Sequence, residues 1–570
     1  MTKKPFFLVL PILLIAAVLA PAFQLAGVRG ELDSSSNADT ASLLDFEQQV
    51  VSSVNGSRAY DYDLELENIA YSHPDFRSSG SSGAFEVANW IRGKLESFGL
   101  QSWLEPFQFT NWTLLDNASL VIDEDGNSST VGDKTSIDSF QCEHLSWPTP
   151  IDGVFADLVV LPLPVLSDRS QIGTIPINMA LWDSINTTGK IVLVGREVRS
   201  HPNWNSPFAS KLRLQPPAAV VYTWWYIWDS FIPPFFSSSG GVPMNGGYYW
   251  NLSIPVGFVD YEDGLLIKNS KDTNLNLAAN VTIPSVINSN GTHYNVVGKI
   301  NGFQDPDKLV IVSGHYDTVM CSGFCDNGAG TAGIVELAKV FSEAVQSGVY
   351  QPNHTLLFVG FAGEEFYLVG SANYVKEHKS DMANITAVIN LDCIGSDDLY
   401  VSETPGSLLA QTVVQASQDL GISIWTESPG GSDHETFMSP SDVNYMIQAN
   451  WGVDLGISDA TPVLASAMLD SYPLFYNDLW NRGAPGWIHT SYDNSTSTSA
   501  LNWVEKDDFG NHIKVAALVV MRSSPNVVPE FPAGIALVLL MSVTLTVCVL
   551  VRKVRGSRVE RSARALTHDL

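Results

Sequence analysis

The chain has 570 residues, longer than one compact core usually takes, so two globular parts with appendages are expected. Against 60 acidic residues stand 31 basic ones, a net charge of −29, which excludes nucleic acid as a partner because phosphate binding needs a basic surface. Apolar residues make up 45% and charged ones only 16%, which excludes a chain disordered throughout.

In chain order, residues 1–30 place Lys3 and Lys4 before an apolar run from Pro5 to Ala22, the pattern of a signal peptide or signal anchor. Residues 31–57 are polar and read as a spacer. Residues 58–114 carry Val87, Ile91, Leu95 and Phe98 at helical spacing, with Gly99 placed as a stop. From 115 to 284 the pattern changes to short strand-like runs separated by Gly and Pro turns (GKIVLVGREV, AAVVYTWW, IPVGFVDYEDGLLI), which predicts a β-rich inserted domain. The aromatic stretch Tyr222–Phe236 within it reads either as a wall over a substrate site or as insert core.

Residues 285–522 repeat one grammar three times. Apolar run Leu309–Gly314 leads to His315 and Asp317, run Leu356–Ala362 to Glu364 and Glu365, and run Ala387–Leu391 to Asp392. Short continuous apolar runs alternating with helical patterns predict parallel strands buried on both faces. The expected fold is a three-layer α/β/α domain with a mixed, mostly parallel sheet, plus the insert and a C-terminal transmembrane helix. Polar residues at strand carboxyl ends then meet along one edge of the sheet.

Carboxylates crowded together repel, and burying them requires a cation. Imidazole with carboxylate suits zinc. His315, Asp326, Glu365, Asp392 and a later histidine make five ligands, one too many for a tetrahedral ion, and suit two ions sharing a carboxylate. Glu364, beside a ligand but outside the set, is then the general base for a metal-bound water. Taken singly, each motif has a plain reading: a surface His-x-Asp, a solvated Glu-Glu helix start, a Gly-rich turn. Their joint occurrence argues for a site. Cys321 and Cys325 bracket the approach to Asp326 and Cys393 follows Asp392. A disulfide between two of these three is compatible with an oxidising compartment, and which two is left open.

Residues 533–551 are 19 residues without a charge and mostly apolar, enough to cross a bilayer core of ~30 Å. Arg552, Lys553, Arg555 and further arginines follow, so the tail 552–570 is expected in the cytoplasm and the rest outside, in a single-pass cell-membrane protein. Eleven Asn-x-Ser/Thr triplets, all before that run, fit a glycosylated extracellular part.

The HYDT run at His315, DNGAG at Asp326, the Glu364–Glu365 pair, NLD ending at Asp392 and IHT at His489 together resemble the co-catalytic zinc peptidases, which include leucyl-type aminopeptidases, glutamate carboxypeptidase and glutaminyl cyclase. The resemblance implies two zinc ions bridged by Asp326, one held by His315 and Asp392, the other by Glu365 and His489. It implies Glu364 as the base and Asp317 as the group orienting His315. GGSDHETFM resembles the family's Ser-Asp-His-x-x-Phe loop, making Asp433 and His434 substrate-binding candidates, with Tyr492 from a late loop. The insert resembles a protease-associated domain. A surface-anchored or secreted exopeptidase acting on peptides, first an aminopeptidase, is the implied function. A glutamate-type carboxypeptidase is the alternative; it needs a basic pocket, for which Arg482 is one of the few late basic residues. A receptor or scaffold on the same fold would have lost ligands or the base, and all six residues remain.

Overall fold

The computed structural model of the chain describes residues 43–124, 134–143, 146–165, 171, 174–199, 202–223, 253–273, 276–396, 398–402, 408–427, 431–463, 465–472, 488–489, 493–496 and 504–527. Three helices come first: α1 (Asp45–Ser53), α2 (Gly56–Tyr71) and α3 (Ser82–Ser97), so the spacer expected over 31–57 is corrected from Asp45 on, where Val50 and Val51 of α1 are buried in the core. Ser81 caps α3 by accepting the Ala84 N–H at 3.0 Å, and the chain leaves it through Gly99 at φ +91. Val87, Ile91 and Leu95 form its buried face, as their spacing predicts.

Strand β1 (Gln101–Leu114) follows, and the chain then builds a separate sheet before returning. That sheet contains β2 (Ser119–Asp123), β3 (Lys134–Ser136), β4 (Gln141–Cys142), β5 (Val154–Leu161), β6 (Ile191–Gly195), β7 (Ala219–Thr223), β8 (Val256–Phe258) and β9 (Ala278–Thr282). Helices α4 (Met179–Ser184), α5 (Pro202–Leu214) and α6 (Tyr261–Thr273) lie between its strands in the chain. Strands β5, β6, β7 and β8 pair in parallel, and α5 makes the crossover between β6 and β7 that parallel pairing demands. The insert is built on an eight-stranded sheet, and helices α4, α5 and α6 add to the β-rich pattern expected of it. Short apolar runs revealed its strands, while helices with weak apolar stripes escaped notice. Trp182, Trp204 and Phe208 from those helices are fully buried in its core.

The chain returns on β10 (Ser285–Ile300), which pairs antiparallel with β1 from Leu114↔Ser285 to Gln101↔Lys299, so it enters and leaves the insert side by side. Then come β11 (Asp305–His315), α7 (Gly330–Gln346), β12 (His354–Phe361), α8 (Val369–Glu377), β13 (Ile385–Leu391) and β14 (Asp398–Ser402). α9 (Leu408–Leu420), β15 (Ile424–Glu427), α10 (His434–Met438), α11 (Pro440–Trp451), β16 (Ser466–Tyr472) and a last helix, Lys506–Ser523, complete it. The strand order is β1-β10-β12-β11-β13-β16-β14-β15, with β12, β11, β13 and β16 parallel at the centre.

Two helical layers cover this sheet. Phe358 and Phe361 of β12 lie an odd number of residues apart and so face opposite sides. Phe358 meets Phe341 of α7, while Phe361 meets Tyr374 of α8 and Phe437 of α10. The three-layer expectation and the mixed, mostly parallel sheet are both observed. No helix among the described residues is long and apolar enough to cross a membrane. The expected leader (1–30), the apolar run 533–551, Tyr492, and the aromatic run beyond Thr223 lie outside the described residues.

Candidate metal centre

Four strand or turn ends converge. His315 closes β11 and is 1% exposed, held by the Thr331 hydroxyl, which donates to its carbonyl at 2.8 Å. Asp326 sits in the turn before α7; Glu364 and Glu365 follow β12 through Gly363 at φ +73; Asp392 follows β13. His489 arrives from the late loop.

The contacts split the bridging carboxylate. Asp326 Oδ1 lies 3.2 Å from His315 Nε2, and its Oδ2 lies 2.9 Å from His489 Nε2. Asp392 Oδ1 completes the first half, 3.4 Å from His315 Nε2. Glu365 Oε1 completes the second, 2.9 Å from His489 Nε2. Glu364 Oε2 stands off at 4.0 Å from His315 Nε2. The five residues read as ligands thus lie together, with contacts on either side of Asp326.

Whether this set fits metal can be judged from proton positions. His315 Nδ1 lies 3.1 Å from the Asp317 carbonyl, which only accepts, so Nδ1 carries a hydrogen. In the neutral ring, Nε2 then points a lone pair at two carboxylate oxygens, an arrangement that needs a cation between them. Asp392 Oδ1 is buried with no hydrogen-bond partner. Imidazole and carboxylate donors around two foci suit two zinc ions.

Electrostatics tell the same story. Burial, with Glu365, Asp392 and Asp433 adding to it, holds the Glu364 carboxyl well above the usual range against the pull of His315. Burial raises Glu365 to about 7 despite His489. Burial works against charge on His315, yet Asp392, Glu364, Asp317 and Asp326 bring it well above its ordinary value. Carboxylates outnumber bases, so Glu364, Glu365 and His315 are pushed towards the form that lowers the negative charge, whereas Asp326, against its burial, is held below the usual carboxylate range by His315 and His489.

The supporting groups differ in part from expectation. Asp317 orients His315 through its backbone carbonyl; its carboxylate lies farther off, Oδ1 at 3.6 Å from Nδ1, and accepts the Glu364 N–H at 3.3 Å. Asp317 is thus a positioning residue for ligand and base together. Arg77, fully buried, donates from Nε to the Tyr316 carbonyl at 3.1 Å and from Nη2 to the Gly323 carbonyl at 3.0 Å. Asp493 accepts the N–H groups of Cys325 (2.6 Å) and Asp326 (3.1 Å), fixing the turn. Ser432 donates to Asp392 Oδ2 at 2.6 Å. Ser432 belongs to the Ser-Asp-His-x-x-Phe stretch, but the sequence pattern assigns neither it nor Arg77 a role, because each acts on groups far away along the chain.

A cleft of about 300 Å³ opens onto the ligands and Glu364, with Tyr367, Leu368, Met446, Met468 and Ile488 on its apolar side and Glu435 and Asp470 on its acidic one. Asp433 and His434 do not line it: both are fully buried, and Glu435 and Gly431 form the wall at that loop. Burial, helped by Asp317 and Asp392, lifts Asp433 to about 7 against His315 and Ser371, and burial lowers His434 to about 4. Their expected substrate contacts are corrected on this ground. A polar pair in a Gly/Ser loop looks exposed in sequence, whereas here α10 begins at His434 and tucks it inward.

Buried parallel strands deliver a two-focus His/carboxylate set to an open cleft, an arrangement that suits a pair of cations. Residues 295–503 match the model of Peptidase family M28. Aminopeptidase YwaD of Bacillus subtilis (strain 168) is 32% identical over 213 residues, covering 34% of this chain and 43% of that protein. The glutamate carboxypeptidase 2 homolog of Caenorhabditis elegans is 32% identical over 128 residues, 22% of this chain and 16% of that one. These matches span less than half of either relative's length. In fold, the chain is similar to BSAP, a zinc aminopeptidase from Bacillus subtilis, with a TM-score of 0.56 at 20% identity, covering 83% of this chain and 96% of that chain.

Proposed function

We propose that the chain is a zinc-dependent exopeptidase that removes residues from the amino end of peptides. The observation that carries this is Asp326, whose two oxygens face two separate His/carboxylate pairs beside an uncoordinated Glu364. Two zinc ions, when bound, supply Lewis-acid charge and lower the pKa of water at the site. His315 and Asp392 would hold one ion, Glu365 and His489 the other, and Asp326 both. Glu364 takes a proton from the attacking water and returns it to the leaving amine. Its burial beside Glu365, Asp392 and Asp433 favours that uptake, because a proton there relieves repulsion. Asp317 keeps Glu364 in place through the Glu364 N–H.

The cleft wall favours a free amino terminus. Glu435 and Asp470 offer negative charge to an ammonium group, and no Lys or Arg stands among the described lining residues. A glutamate-type carboxypeptidase would need one. The apolar side, Leu368, Met446, Met468 and Ile488, suits an uncharged first side chain. We place the domain outside the cell, tethered by the apolar run 533–551, on the sequence pattern of leader, Asn-x-Ser/Thr triplets and basic tail.

The test incubates the full-length chain, loaded with zinc, with free and N-acetylated forms of the same peptides. Cleavage of the free forms alone is expected. Glu364→Gln should lower kcat by about 10²- to 10⁴-fold while two zinc ions remain bound. Equal cleavage of blocked peptides would defeat the aminopeptidase reading, and unchanged kcat in the variant would remove Glu364 from its role.

A further inference from the structure

Two thiols flank the metal ligands. Cys325 precedes Asp326 and is 2% exposed; Cys393 follows Asp392 and is 8% exposed. Both are free thiols, and each faces the other. The backbone around them is clamped by Asn327, whose Oδ1 accepts the N–H groups of Cys393 (3.3 Å) and Gly330 (2.8 Å) while Nδ2 donates to the Leu391 carbonyl (2.8 Å). Cys393 sits at φ 51, the left-handed region that L residues seldom adopt, and it lines the cleft, where a small oxidant can reach it.

We propose that Cys325 and Cys393 are a modification site, joined by a disulfide that ties the turn bearing Asp326 to the strand end bearing Asp392. The oxidant is a low-molecular-weight disulfide such as oxidised glutathione. One protein sulfur attacks it and releases one small thiol; the second protein sulfur displaces the other. Two protein S–H bonds and one oxidant S–S bond are lost, one protein S–S bond and two small-molecule S–H bonds form, and two electrons pass to the oxidant. Among carboxylates this exchange leaves a neutral link where a thiolate would add charge. With both neighbours of the disulfide serving as metal ligands, the link holds Asp326 and Asp392 at a set spacing.

The experiment treats the purified full-length chain with oxidised glutathione, denatures it, alkylates it with iodoacetamide and reads intact mass and peptide map. Two alkyl groups fewer than in the reduced protein are expected, with one cross-link between the peptides carrying Cys325 and Cys393. Alkylation of both cysteines, or a cross-link through Cys321, overturns the proposal. This arm needs no metal, so it stands apart from the dizinc reading. A second arm rests on that reading: reduction should speed zinc loss to a chelator by at least about tenfold, the scale of losing support to a ligand. An unchanged rate would remove the proposed effect on spacing. Cobalt(II) in place of zinc distinguishes the rival in which Cys393 is itself a ligand. A sulfur-to-cobalt absorption band lost in Cys393→Ser would establish that rival and overturn the disulfide.

Discussion

The two sheets of this molecule are made of the same material and do different things. β6 and β7 of the insert are buried at every position, as are the last six residues of β11 and all but the first of β12. The difference lies in the acid that comes after the strand. Beyond β8 stands Asp260, whose Oδ1 accepts the Asp263 N–H at 2.8 Å in the first turn of α6. Beyond β13 stands Asp392, buried, with Oδ1 lacking any hydrogen-bond partner and facing His315. An acid at a strand end that finds a backbone donor is architecture. One that is buried without a partner, next to others like it, marks a place for a cation.

That contrast predicts a separation of effects. Leu193 of β6 is fully buried, and Leu193→Ala should cost about 2–5 kcal/mol of stability through lost burial and a residual cavity. Zinc content of the folded protein should stay at two per chain, since no ligand comes from the insert sheet. Urea unfolding with metal analysis on the same sample checks both. Loss of zinc from a still-folded variant would show that the two sheets are coupled more tightly than their separate roles imply.

The same contrast decides how much was legible in the sequence. The strands bearing ligands could be read because continuous apolar runs end abruptly in His, Glu or Asp, and side-chain type alone suggested the chemistry. Where the strands lie in the sheet could not: β16 comes some way after β13 in sequence yet pairs with it, and nothing in either run announces the partner. Support through backbone atoms was equally hidden. Arg77 serves the site by grasping the carbonyls of Tyr316 and Gly323, and Asp317 steadies His315 with its own carbonyl, roles that any residue type at the accepting positions would fill. Asp433 and His434 misled because polarity was read as exposure.

A second contrast concerns buried histidines. His315 is surrounded by acids, whereas His512 in the last helix is 2% exposed and accepts the Gly395 N–H at Nδ1, 3.0 Å away. Burial pushes His512 from 6.5 down to about 3. A depressed pKa means that the unfolded chain takes up a proton first. Its contribution to stability is therefore complete above pH 6.5 and is lost as pH falls towards 3. By about pH 4.5 the loss should be roughly 2–3 kcal/mol at about 1.4 kcal/mol per unit. Urea unfolding of the metal-free protein at about pH 7 and about pH 4.5, compared with His512→Gln, isolates it. Equal pH slopes for the two proteins would assign the acid sensitivity elsewhere.

The smallest expected effect tests how a partnered oxygen serves an unpartnered one. Asp392 presents Oδ1 to the metal site because Oδ2 is occupied by the Ser432 hydroxyl at 2.6 Å. Ser432 in turn accepts from Asn390 Nδ2 at 2.8 Å, and Asn390 Oδ1 accepts the Ser313 hydroxyl at 2.9 Å. This relay crosses β11 and β13 and fixes the carboxylate against rotation. Ser432→Ala removes the hydroxyl that holds Asp392 and leaves a buried Asn390 amide hydrogen without its acceptor. Zinc affinity, measured by chelator competition, should fall by about tenfold, the lower end for losing a group that orients a ligand. Ser432→Thr, keeping the hydroxyl, should restore it. If alanine binds zinc as tightly as serine, then Asp392 is held by its strand alone, and the relay contributes to packing rather than to the metal centre.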